Sequence, residues 1–270
     1  MTFLKTPLDK KYIWLYTSLY LLFILGLPLA ALLRSAGAAL FDDFWEVSTS
    51  PVALAAYGYT LSMALFAALF NGFFGLILAW VLVRYRFWGR RALDSAVDLP
   101  FALPTSVAGL TLASMYSEKE ILGQFLSDRG CVVLFTPIAV GIAMIFVSFP
   151  FVVRTVQPVL QSIEKELEEA AWSLGAGSFK TFRKVLLPPL RPALMTGMTL
   201  AFSRAVGEYG SIVVVSSNMP EKDLISSVLI FQNLEQYEHR SAAIIGTGVL
   251  FLSLFFLFTV NALGFITPRH

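Results

Sequence analysis

The sequence predicts an all-α polytopic membrane protein, and three observations carry that prediction. Of the 270 residues, 57% are apolar and only 14% charged, against about 25% charged in a typical soluble domain, so there are too few charges to cover a water-facing surface. The mean hydropathy is +0.72. The apolar residues gather into six stretches, and a helix rising 1.5 Å per residue needs roughly 20 of them to cross about 30 Å of hydrocarbon. These features exclude a secreted or cytosolic globule, a disordered tail and a nucleic-acid reader. A single cysteine, Cys131, excludes an internal disulfide and a cysteine-based metal cluster. Two histidines, His239 and His270, leave little for imidazole chemistry.

Taken in order, a short segment 1–11 with Lys5, Lys10 and Lys11 precedes a span over 12–33. Its uncharged core exceeds the roughly 7–15 apolar residues of a signal peptide, which predicts an uncleaved first span. The stretch ending at Val83 is longer than one crossing requires, and its Pro51-containing start reads as a re-entrant or interfacial lead-in to a span over 60–83. The third and fourth spans cover 99–116 and 130–153. A fifth, 193–216, is interrupted by Arg204 and Glu208, and a sixth covers 241–265, closing one transmembrane domain over 12–268. Fourteen Lys and Arg fall on the side that holds both termini and five on the other, which predicts that both ends are cytoplasmic. The cluster Arg84, Arg86, Arg90 and Arg91 reads as part of that topology signal.

The segment 154–191 stays outside the membrane yet is not turn-like. After Ser162, a plausible N-cap, Ile163, Leu167, Ala170, Ala171 and Leu174 recur at helical spacing on one face. Early glutamates suit the positive end of a helix dipole, and Gly175 can take the left-handed conformation that ends a helix. A second helical stretch, Ser178 to Leu187, is expected to stop at Pro188-Pro189. Such a pair could lie on a lipid interface, but Glu164, Glu166, Glu168 and Glu169 would be repelled by anionic headgroups. A protein partner is the better inference, approaching closely over the small Ala170 and Ala171.

Glu169-Ala170-Ala171, then Gly175, then Val185-Leu186-Leu187-Pro188 resembles the EAA motif of ABC importer permeases, with Val185 where the family usually has Ile. The resemblance implies that Glu169, Ala170, Ala171, Gly175, Leu187 and Pro188 belong to a coupling helix seated in a cleft of a cytoplasmic ATPase subunit. Nearby, Gly175-Ala176-Gly177-Ser178-Phe179-Lys180-Thr181 is not a phosphate-binding loop, because the Walker pattern needs Gly immediately before Lys. The chain is thus expected to bind no nucleotide and to hold no cofactor; MgATP belongs to the partner. Three further segments, Asp98 to Gly109, Phe149 to Pro158 and Arg204-Ala-Val-Gly-Glu-Tyr-Gly210, resemble the T-type subunits of sulfate/thiosulfate permeases. That likeness implies an inner-membrane importer of sulfate or thiosulfate. Its partners would be a W-type permease subunit forming a heterodimer, ATPase subunits and a periplasmic sulfate-binding protein. The last segment is shared with molybdate permeases, so another oxyanion is the alternative.

Arg204 lies twelve residues beyond Pro192, roughly 18 Å into the membrane, where a charge costs about 2.5–3.5 kcal/mol or more. Glu208, one turn on, can pair with it. The pair can line a path for a dianion, with Arg204 lowering the barrier and Glu208 preventing a trap, or it can simply lock helices together. Pro100 and Pro104 would bend the third span and free backbone groups that, with Thr105, can line or gate a pore; a packing kink is the other reading. An ion-coupled secondary transporter using Glu208 would leave the cytoplasmic helix pair unexplained, a membrane hydrolase lacks a placed histidine, and a plain channel lacks a filter loop.

Overall fold

The computed structural model describes residues 10–37 and 41–265, and every regular element among them is a helix. Helix α1 spans 10–37, with a π-helical turn at Leu22–Gly26. The wider turn accommodates Pro28, which lacks an N–H and would otherwise crowd the preceding turn. Of the expected segment 1–11, only Lys10 and Lys11 are described, already as part of α1; the expected boundary at 268 also lies outside the described residues.

After α2 (Phe41–Ser48) comes α3, a single helix Pro51–Arg84. Ser50 caps it, accepting a hydrogen bond from Ala53 N at 3.3 Å, with Pro51 in the first turn where its missing N–H costs nothing. The expected lead-in before residue 60 is therefore the first part of the same helix. Two short helices follow, α4 (Arg90–Val97) and α5 (Leu99–Ala102), then α6 (Thr105–Met115). The stretch expected as one span over 99–116 is thus broken: Leu103, which precedes Pro104, is extended at ψ 132°, because the proline ring clashes with an α-helical predecessor. Among the described residues, five helices are long and apolar enough to cross a membrane, and Thr105–Met115 is a shorter apolar helix.

Helix α7 is Ile121–Ser127 and α8 is Pro137–Ser162. The latter starts seven residues later and ends nine later than the expected span 130–153. Ser162 is its last residue, not the cap of the next helix. Helix α9 is Lys165–Ser173, and α10 runs continuously over Ser178–Val206. Pro188 and Pro189 do not stop α10, contrary to expectation; the π-helical turn Phe182–Leu186 just before them absorbs the lost hydrogen bonds. The apolar stretch 193–216 likewise is not one helix, since α10 ends at Val206 before a turn and the short α11 (Ile212–Val215). Helices α12 (Ser226–Glu235) and α13 (His239–Phe265) complete the described chain.

The core is the trio α3, α8 and α10, each packed against the other two. Helices in lipid gain no hydrophobic drive from meeting one another, so close approach of small residues supplies the attraction. Ala53, Ala56, Ala64, Ala67, Ala68, Gly72, Gly75 and Ala79 make up most of the buried stripe of α3. A methyl at Gly75 would stand 2.9 Å from Val152 Cγ1, and one at Gly197 would stand 2.9 Å from Val152 Cα. Asn71 adds a polar clasp, donating to Ser148 Oγ at 2.8 Å and Ile145 O at 3.1 Å.

Candidate coupling and translocation sites

One site is built on α9. The acidic Glu166 and Glu168 stand in its first turn, the favourable end of the dipole. Its C-terminus closes as the sequence anticipates: Gly175 has φ +78°, its N–H donates to Trp172 O at 2.9 Å, and Ala176 N donates to Ala171 O at 3.0 Å. This reciprocal pair is the Schellman arrangement, which an L side chain at Gly175 would strain.

The helix turns one acid inward and its apolar residues outward. Glu168 is buried and its Oε1 lies 2.8 Å from Arg84 Nη2, at the end of α3. The same Nη2 donates to Ile163 O at 3.2 Å. Glu169 and Ala170 are exposed and Ala171 is half-buried, beside Leu167, Trp172, Leu174 and Phe179, all large and exposed; Leu174 reaches 88%. Isolated apolar side chains on a surface are ordinary, but a contiguous group of this kind marks an interaction face. Leu187 is half-buried and Pro188 exposed where α10 straightens after its π turn. Sequence reasoning missed Arg84, which it read as a topology charge, and Glu168 as its partner. The only available signal was a cation directly abutting the apolar run of a span.

A second site surrounds the turn after α10. Arg204 Nη2 meets Glu208 Oε2 at 2.7 Å. Because α10 ends at Val206, Glu208 sits in the turn beyond it rather than on a further helical turn. Its other oxygen accepts from Ser211 N at 2.9 Å and Ser211 Oγ at 2.8 Å, and Ser227 Oγ donates to the Glu208 carbonyl at 2.6 Å. The carboxylate is 1% exposed while the Arg204 side chain keeps 31%. Thr105, in the first turn of α6, packs against the same turn: a methyl at Gly210 would fall 2.3 Å from Thr105 Oγ1, and one at Gly109 would fall 2.6 Å from Ser211 O. Thr105, Arg204 and Glu208 are therefore brought into one neighbourhood. No side chain caps the N-terminus of α6, so its first amides have no side-chain acceptor.

A third cluster is an ionic clamp. Arg154, expected in the loop, is inside α8 and forks onto Asp98 with Nε and Nη2 each 2.7 Å from a carboxylate oxygen. It also donates to Asp94 Oδ1 and Asp94 O, both at 2.6 Å, and to Gln157 Oε1 at 2.7 Å. The hydrogen bond from Arg154 holds the Asp94 carboxyl below its ordinary value of 3.8. This clamp fixes α4 and the start of the broken α5–α6 segment to α8.

The profile described as "Binding-protein-dependent transport system inner membrane component" matches residues 71–269. The chain belongs to this family. The permease is 58% identical over 96% of its length, and 90% of the relative's, to the "Probable sulfate transport system permease protein cysT" of Chlorokybus atmophyticus. It is 52% identical to the "Sulfate transport system permease protein CysT" of Synechocystis sp., covering 93% of this chain and 87% of that one. Among solved structures, it is similar in fold to a bacterial alginate ABC transporter in complex with its alginate pentasaccharide-bound periplasmic protein, with TM-score 0.76 and 20% identity over 93% of this chain and 92% of the other. The permease is thus a multi-pass membrane transport protein with the fold of an ABC importer subunit.

Proposed function

We propose that this permease forms one half of a pore that imports sulfate and thiosulfate across the inner membrane. A W-type subunit supplies the other half, MgATP-hydrolysing subunits bind on the cytoplasmic side, and a sulfate-loaded binding protein docks on the periplasmic side. The observation that carries this reading is the outward apolar face of α9, closed at Gly175 and edged by Glu169, on a chain whose relatives are named sulfate transport permeases. The excess of Lys and Arg on the α9 side supports cytoplasmic placement of that face and of both termini. Nucleotide chemistry belongs to the partner, because Phe179 stands where a phosphate loop needs glycine.

Sulfate stays doubly ionised at physiological pH, so passage calls for hydrogen-bond donors and positive potential rather than proton exchange. Arg204, Thr105 and the first amides of α6 supply donors on one side of the path. Glu208 has spent its oxygens on Arg204 and Ser211; it tempers the positive charge and keeps the dianion from being held. A carboxylate so enclosed is poorly suited to relay ions, which disfavours a secondary transporter.

The test is purification in mild detergent with the native partners, followed by ATPase assay with and without loaded binding protein. Sulfate should stimulate hydrolysis and molybdate should not. The reverse order would reassign the cargo to another oxyanion, and anion transport by the isolated chain without nucleotide would overturn the importer reading.

A further inference from the structure

If α9 has the coupling role just proposed, its motion must reach the Arg204–Glu208 turn through the contacts between them. Broad packing of α9 is confined to the start of α10. Its tie to α3 is instead electrostatic: the Arg84–Glu168 pair at 2.8 Å, with side chains 10% and 9% exposed, and the Ile163 carbonyl on the same guanidinium. Arg84 is the last residue of α3 and Glu168 stands in the first turn of α9, so each charge sits at the dipole end that favours it. Removing water from two charges costs more than such a pair commonly returns, and what it confers is a fixed position. Trp80 of α3, one turn earlier, lies against Phe182 of the π turn with ring centroids 5.2 Å apart. Both ties converge on the same end of α3.

Toward its other end, α3 holds the start of α12, which in turn contacts the Arg204–Glu208 turn. Thr60 is fully buried. Its hydroxyl donates to Ala56 O at 2.6 Å, which leaves it to accept from Ser226 N at 2.8 Å and from Ser226 Oγ at 3.0 Å. The next residue, Ser227, holds the Glu208 carbonyl. Between Thr60 and Arg84, α3 is unbroken and free of proline, a rod of roughly 36 Å at 1.5 Å per residue.

We propose that α3 carries motion from α9 to the Arg204–Glu208 turn, driven at Arg84–Glu168 and delivered at Thr60–Ser226. Arg84, Glu168 and Thr60 are then positioning residues for transport. Packed side chains, hydrogen bonds and a rigid helix are the kinds of element that carry coupling between distant sites.

The experiment uses the whole complex in proteoliposomes and reads anion uptake per ATP hydrolysed, with retention of the ATPase subunit measured by co-purification. R84Q and E168Q should keep the ATPase subunit yet lose uptake per ATP by about tenfold, and the swap R84E/E168R should restore it. T60V, remote from the ATPase, should show the same loss with unchanged ATPase retention. Assembled R84Q or E168Q complexes with the parental ratio would overturn the driven end, and a parental ratio in T60V would overturn the delivering end. Should the single variants not assemble, the swap decides: the parental ratio supports the route and a lost ratio overturns it. The parent complex alone reads the proposed function, whichever oxyanion it accepts, whereas the route is read from the variant-to-parent ratio.

Discussion

The two ends of α3 handle a buried glutamate in opposite ways. At the α9 end, Glu168 reaches across the fold to Arg84, a residue 84 positions earlier in the chain, and in doing so exposes Leu167, Trp172 and Leu174. At the other end, Glu208 is satisfied within its own turn by Arg204 and Ser211. The first arrangement joins two elements and presents a surface; the second closes on itself and leaves one half-open guanidinium. Both pairs cost stability when broken; the difference teaches that damage at the second stays within its own turn, whereas damage at the first also severs one element from another and shows as lost coupling in assembled complexes.

The most severe test of that contrast is E208A. It leaves Arg204 unneutralised within a span and Ser211 N–H without its acceptor, and loss of one partner of a buried pair costs about 3 kcal/mol or more. The expected outcome is a sharp fall in thermal stability in detergent together with loss of uptake; a variant as stable as the parent would break the comparison. Next comes G175V, which forces a β-branched residue to φ +78° at a cost of about 1–2 kcal/mol. It should abolish uptake while membrane insertion persists. L174D should be milder still: at 88% exposure it should leave stability within about 0.5 kcal/mol and weaken retention of the ATPase subunit in co-purification.

The smallest effect is expected from the Arg154 clamp. Since the folded Asp94 carboxyl titrates below its ordinary value, the unfolded chain binds the proton more readily, so stability rises with pH across that interval. The contribution is present in full above about pH 4 and is lost as pH falls through the depressed value. Asp94 is 41% exposed, so solvent screening keeps the effect small. Thermal unfolding followed downward from pH 6 should show a slightly shallower acid-side decline in D94N than in the parent.

Much of the fold is legible in the sequence because hydropathy reports which solvent a segment meets. It does not report where a helix ends. Arg154 is charged and so reads as loop, yet α8 continues through it to Ser162 because Asp94, Asp98 and Gln157 receive its donors. Prolines mislead in both directions: Pro104 breaks a stretch read as one span, while Pro188 and Pro189 pass inside α10 because a π turn makes room for them. Gly175 and the Arg204–Glu208 pair are legible since their requirements are local, a backbone dihedral in one case and a spacing of four residues in the other. The partnership of Arg84 with Glu168, and the approach of Gly210 to Thr105, depend on how distant helices pack, and neither leaves a periodic trace.

Val152 stands between Gly75 and Gly197, so near to both that a single methyl on either would collide with it. A wedge seated this tightly has no slack to take up, and prying the surrounding helices apart would open an empty seam on two sides at once, at a loss of contact on each. Within this subunit, then, the packing favours the trio tilting as one block, with the give located in the bent and broken segments around its rim.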